Sequence, residues 1–182
     1  MTGTGARGVT GGRGVTGGRG VTGGRGVTAR ATARTRASAE QAYVLSGPLD
    51  PTDFYPRFGP LPAVVAVLDQ SGDWDTIGRT RRLILSDSGY VIETITDTEV
   101  PGLFAYELSD FQRLFGMLVS GARAEWHFDS TINGARISWS YTFVAKRGRR
   151  WAVWLIVRLW WGRYMRRVLP PIAREIERLA AR

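Results

Sequence analysis

The chain has no cysteine, which removes disulfides, thiol nucleophiles and thiolate metal sites from consideration and fits a reducing, cytoplasmic setting. It has one histidine, so a metal site built on imidazoles has no ligand set. No apolar run approaches the ~18 residues that a spanning helix needs. The N-terminus lacks the apolar stretch of a secretory signal. Neither a phosphate-binding glycine loop nor a dinucleotide fingerprint is present, because the glycines near the start follow no strand and open no helix. Neither a metal nor a nucleotide cofactor is expected.

Charge is present but unevenly placed. Residues 1–38 carry seven Arg and no acid, residues 39–145 carry fourteen acids and seven Arg, and residues 146–182 carry eleven basic and two acidic residues. An acidic body lies between two basic ends. The ends suit nucleic acid or anionic lipid, but the body argues against a chain that binds nucleic acid throughout, and no specific nucleic-acid partner is expected. The first 28 residues contain a hexapeptide repeat, RGVTGG from Arg7, Arg13 and Arg19 with a partial RGVT at Arg25. Ordering so much glycine would cost more entropy than Val alone recovers by burial, so residues 1–28 read as a disordered tail and residues 29–182 as one domain.

The domain begins with a strand over Ala29–Ala37. Ser38 and Gln41 form a capping box for a short helix to Leu45, and Asp50 with Pro51 starts a second that runs to Phe58. Strand-like runs follow at Ala63–Leu68, Arg79–Leu85, Tyr90–Thr98, Leu103–Ser109, Arg123–Ser130 and Ala135–Ala145. Pro101-Gly102 suits a type II turn, and Phe111–Leu118 reads as either helix or loop. Asn133-Gly134 is the strongest hairpin signal; as a two-residue loop it pairs Ile132 with Ala135, Phe128 with Trp139, and Trp126 with Tyr141. Alternation then collects Trp126, Phe128, Trp139, Tyr141 and Phe143 on one face and sends His127 to the wet one. Across Ser86–Gly89 the same counting pairs Arg82 with Glu93.

The last element, RRWAVWLIVRLWWGRYMRRVL from Arg149 to Leu169, has four of the seven tryptophans and no acidic residue. At ~100° per residue, Trp154, Val157, Trp161, Tyr164, Met165, Val168 and Ile172 form one stripe, with Arg163, Arg166 and Arg167 opposite. Leu155, Ile156, Leu159 and Trp160 lie off the stripe, so these turns are greasy on two sides. The second side calls for a covering loop, a homodimer contact or a membrane interface. Pro170-Pro171 should kink or break the helix near Leu169.

This α+β order of strand, two short helices, antiparallel strands and long C-terminal helix resembles the helix-grip fold of the SRPBCC superfamily, in its polyketide cyclase/dehydrase-like branch. FYPRFGPLPAV (54–64), GDWDTIGRTRRLILSD (72–87), AYELSDF (105–111), ARISWSYTF (135–143) and RYMRRVL (163–169) carry the resemblance. It implies a curved sheet gripping the helix around an apolar cavity. The hairpin aromatics Trp126, Phe128, Trp139, Tyr141 and Phe143 would line it with Trp154, Trp161 and Met165 of the helix. Tyr106 and Tyr141 would offer hydroxyls, and Arg81 would be one of the strand charges able to orient a polar group. No catalytic residue follows from any motif. Three functions are consistent: binding a lipid, isoprenoid or polyketide-like molecule; cofactor-free cyclase, aromatase or dehydratase chemistry; or a membrane-peripheral or partner-binding role for the Trp-rich helix.

Overall fold

The computed structural model describes residues 26–182. Seven antiparallel strands form one sheet in the order β1-β7-β6-β5-β4-β3-β2. They are β1 (Gly26–Thr35), β2 (Val64–Leu68), β3 (Thr80–Leu85), β4 (Tyr90–Glu99), β5 (Leu103–Ser109), β6 (Val119–Thr131) and β7 (Gly134–Ala145). The curved sheet wraps one long helix, the α+β helix-grip arrangement. The first strand starts three residues earlier than expected and stops two earlier, with Gly26 opposite Val144 and Thr35 opposite Ala135. Its beginning thus falls inside the partial repeat; the rest of the repeat lies outside the described residues.

Two short helices follow β1. In α1 (Ala39–Ser46) the Gln41 N–H donates to Ser38 Oγ and the Ser38 N–H to Gln41 Oε1, the reciprocal capping box. Asp50 caps α2 through the Thr52 N–H at 2.8 Å, but α2 is only Pro51–Phe54. The expected extension to Phe58 is stopped by Pro56, which disfavours helical backbone at Tyr55. The turn before β5 contains a cis Val100–Pro101 bond and leaves Gly102 outside the left-handed region, so it is not type II. The ambiguous stretch resolves into α3 (Arg113–Leu118).

Both predicted registers shift. The β6–β7 loop is Ile132-Asn133, which pairs Thr131 with Gly134, Phe128 with Ile137, Trp126 with Trp139 and His127 with Ser138. Gly134 (φ 127°) opens β7 because it lies against the end of β1, where a Cβ would sit 2.2 Å from the Thr35 carbonyl oxygen. A slip of two residues keeps the faces, so the aromatics still point inward and His127 outward. The β3–β4 connection is one residue longer than counted: the Leu85 N–H donates to Gly89 O and Ser88 takes φ 63°. The slip of one places Arg81, not Arg82, opposite Glu93, beside the inward pair Leu83 and Val91. Arg82 instead reaches Asp69 at the surface.

The C-terminal helix runs unbroken from Arg150 to Ala180, as α4 (Arg150–Ile156), one wide π-helical turn (Val157–Trp161) and α5 (Gly162–Ala180). Pro170 and Pro171 do not break it. The carbonyls they leave without a helical donor belong to Arg166 and Arg167, which are exposed to water, while Val168, Leu169, Ile172, Ala173 and Ile176 stay buried. The helix packs chiefly over β1 and α1. The π turn holds one residue more than a regular turn and rotates everything before it. Val153, not Trp154, therefore faces the core. Arg163 Nη1 donates to the Leu159 carbonyl within the wide turn.

Candidate functional site

A cavity of about 80 Å³ lies between the inner face of the sheet and the π turn. Its floor is strand residues: Leu83 (β3), Val91 and Glu93 (β4), Tyr106 and Leu108 (β5), and Trp139, Tyr141 and Phe143 (β7). These positions face inward because each strand alternates, and every one of them is buried. Trp161 and Tyr164 close it from the helix, Tyr55 from the end of α2, and Phe111 and Phe115 from the α3 end. Phe111 and Phe115 are half-buried, as are Tyr55, Pro62, Leu85 and Trp161 elsewhere in the lining, and the six-residue α3 forms one wall of the cavity. The rings form a continuous web in which Tyr141 lies 4.8 Å from Phe143 and 4.7 Å from Trp161 between centroids.

One ion pair is set into this apolar surface. Arg81 Nε donates to Glu93 Oε2 at 2.7 Å, with the residues 8% and 4% exposed. The Arg81 guanidinium lies over the Trp74 ring at 4.0 Å from its centroid. Glu93 faces the main cavity, whereas Arg81 borders a second cavity of about 40 Å³ with Trp126, Phe104 and the opposite side of Tyr106. The pair thus stands between two cavities and presents a carboxylate to one and a guanidinium to the other.

The tyrosine hydroxyls around it are held protonated. Burial, then the charge of Glu93, pushes Tyr106 and Tyr141 well above the usual phenol range. Tyr55 is raised as far, by burial first and by Tyr106 and Glu93 after it, and burial alone raises Tyr164. All four are hydrogen-bond donors at neutral pH. The indole N–H groups of Trp139 and Trp161 are buried without an acceptor among the described residues. Each such orphan costs about 1–3 kcal/mol. Apolar walls, one carboxylate and several neutral donors suit a ring-bearing molecule that carries oxygen.

Of the residues singled out from sequence, Trp139, Tyr141, Phe143, Tyr106 and Trp161 are in the wall of the main cavity, and Trp126, Tyr106 and Arg81 border the smaller one. Phe128 and Met165 are core: Phe128 packs edge-on against Tyr43 at 5.6 Å, and Met165 is wholly buried under the helix. Trp154 does not reach either cavity; it is 51% exposed, rotated outward by the π turn. Sequence reasoning passed over Tyr55, Tyr164, Phe111 and Phe115. Tyr164 was on the predicted stripe, but Tyr55 and Phe111 sit in irregular backbone and Phe115 in a helix of six residues, too short for a periodicity to point to a face.

The sequence profile of the family described as polyketide cyclase / dehydrase and lipid transport matches residues 26–177. None of the curated proteins compared matches the chain. Among solved structures, that of Ara h 8.0201 aligns with a TM-score of 0.51 at 13% identity, over 86% of this chain and 98% of its own. Protein CV1439 from Chromobacterium violaceum aligns with a TM-score of 0.53 at 16% identity, over 82% of this chain and 96% of its own. At these identities the likeness is one of fold.

Proposed function

Because the chain belongs to the polyketide cyclase/dehydrase and lipid transport family of the SRPBCC superfamily, we propose that it binds a hydrophobic small molecule between sheet and C-terminal helix, as a cytoplasmic protein. The observation that carries the reading is the apolar cavity whose walls hold a carboxylate and protonated tyrosines. Ligand pockets usually measure ~300–1,000 Å³, so an occupant larger than a single ring system must displace part of the wall. The α3 end is the part that yields, being six residues long with only Leu118 buried. A lipid, isoprenoid or polyketide-like molecule with an oxygen function matches both the walls and the unsatisfied indole donors.

A second reading, a cofactor-free cyclase, aromatase or dehydratase, is favoured by one further feature. Glu93, Tyr55, Tyr106 and Tyr141 all line one apolar space, with Arg81 fixing a single carboxylate oxygen. In such a site Glu93 takes a proton from a carbon beside a carbonyl while a tyrosine donates to the oxygen where charge develops. Native mass spectrometry of the protein purified under mild conditions tests the binding reading. A bound mass of a few hundred daltons that is absent from the Val91→Phe variant is expected; finding both proteins only at their own apo masses would refute it. Turnover of an extracted ligand that stops in Glu93→Gln, while binding persists, separates catalysis from carriage.

A further inference from the structure

The outer side of α4 is apolar where a surface helix should be polar. Trp151 is 68% exposed and Trp154, Leu155 and Leu159 follow it, while the adjoining α3 exposes Leu114 and Met117, the latter 64%. Trp160, on the same side, is covered by the turn at Gly59, where an added Cβ would lie 2.6 Å from its ring. Nothing among the described residues covers the rest. Large exposed apolar side chains gathered on two touching helices mark an interaction surface rather than ordinary surface scatter.

The charges around this surface say what it meets. Lys146, Arg147, Arg149 and Arg150 immediately precede or open α4, Arg158 and Arg163 follow on the helix, and Arg113 begins α3; all are exposed. No acidic residue occurs between Lys146 and Arg174. A second copy of the chain would bring the same basic rim against this one, because a two-fold interface apposes identical patches, and like charges would oppose it. An anionic bilayer instead accepts both components, with tryptophan at the headgroup boundary, leucine below it and arginine on the phosphates.

We propose that the α3–α4 face docks on an anionic lipid surface, with Trp151, Trp154, Leu155, Leu114 and Met117 inserted and the surrounding arginines on the headgroups. This side of the molecule is also one wall of the cavity. Phe115 points from α3 toward the cavity while Leu114 and Met117 point out, so one short helix separates bilayer from binding space. Docking stands on the exposed face alone and does not depend on what the cavity holds.

The test is co-sedimentation of the full chain with vesicles of phosphatidylcholine alone and of phosphatidylcholine mixed with phosphatidylglycerol. Binding to the mixed vesicles and little to the neutral ones is expected. Trp154→Ser with Leu155→Ser should lower the partition constant about tenfold or more, since the lost burial is of inserted apolar surface. Arg149→Gln and Arg150→Gln should each lower it about fivefold, the equivalent of about 1 kcal/mol per charge. The substituted side chains are exposed, and unchanged melting temperatures show that the fold is kept. Three outcomes would overturn the proposal: no binding to the mixed vesicles, binding unaffected by the Trp154/Leu155 change (adhesion through the basic ends alone), or a solution dimer that Leu155→Ser dissociates.

Discussion

Arg81 Nε and Glu93 Oε2 meet at 2.7 Å across neighbouring strands, both nearly inaccessible to water, at the seam between two cavities. Such a pair does little for stability as a unit, but each member depends on the other. Glu93→Ala, which strands the guanidinium, should therefore cost about 3–5 kcal/mol in urea unfolding. The double change Arg81→Met with Glu93→Leu should cost less than either charge-stranding single change. Additive losses in this cycle would show that the two side chains do not act as a pair.

The buried tyrosines set the alkaline limit of the fold. Their pKa values are raised in the folded chain above the ordinary 10.0, so the folded state keeps protons that the unfolded chain releases. Stability is then complete below pH 10 and falls as pH rises above it, by up to about 1.4 kcal/mol per unit for each tyrosine. Urea midpoints measured at pH 9, 10 and 11 should drop only past 10, and Tyr106→Phe should make the drop shallower. A flat profile would contradict the protonated cluster.

Gly134 is held at φ 127° against the end of β1. Gly134→Ala adds a Cβ that meets backbone on the neighbouring strand, where neither partner can rotate away. A loss of about 1–3 kcal/mol is expected from the strained backbone alone, and more if β1 separates. A melting temperature equal to that of the unchanged protein would mean that the hairpin can use the Asn133-Gly134 loop read from the sequence.

The π turn can be removed without reversing the helix. Deleting Arg158 leaves Val153 seven residues before Trp161, in phase with it on a regular helix, so Val153 stays inside and Trp154 outside. The melting temperature should hold or rise, because a wide turn is usually kept for a site rather than for stability. Ligand affinity should fall, since Trp161 in that turn is part of the cavity wall. Collapse of the fold on deletion would show the extra residue to be structural.

The overall architecture was legible because the strands alternate cleanly and turn residues separate them. Both faces of the β6–β7 hairpin were read correctly although its register was two residues off, an even slip that leaves faces intact. The odd slip across Ser86–Gly89 mattered more, since it hid the Arg81–Glu93 pair behind a false pairing of Arg82. Ser88 at φ 63° carries no glycine to announce the longer loop. Trp154 was misplaced because a constant 100° per residue cannot show a π turn, and the Pro170-Pro171 break was overruled by packing. Tyr55, Phe111 and Phe115 lay in segments with no period to read.

The most direct test of a ligand cavity between sheet and helix is quenching of tryptophan fluorescence by 2-naphthol, a fused-ring phenol with apolar faces and one hydroxyl, in the unchanged protein and in Val91→Phe. Trp139 and Trp161 line the cavity that Val91 also borders. Saturable quenching that disappears in Val91→Phe, with the melting temperature of the variant maintained, is the predicted result. Quenching of equal strength in both proteins, or none in either, would contradict a binding cavity between sheet and helix.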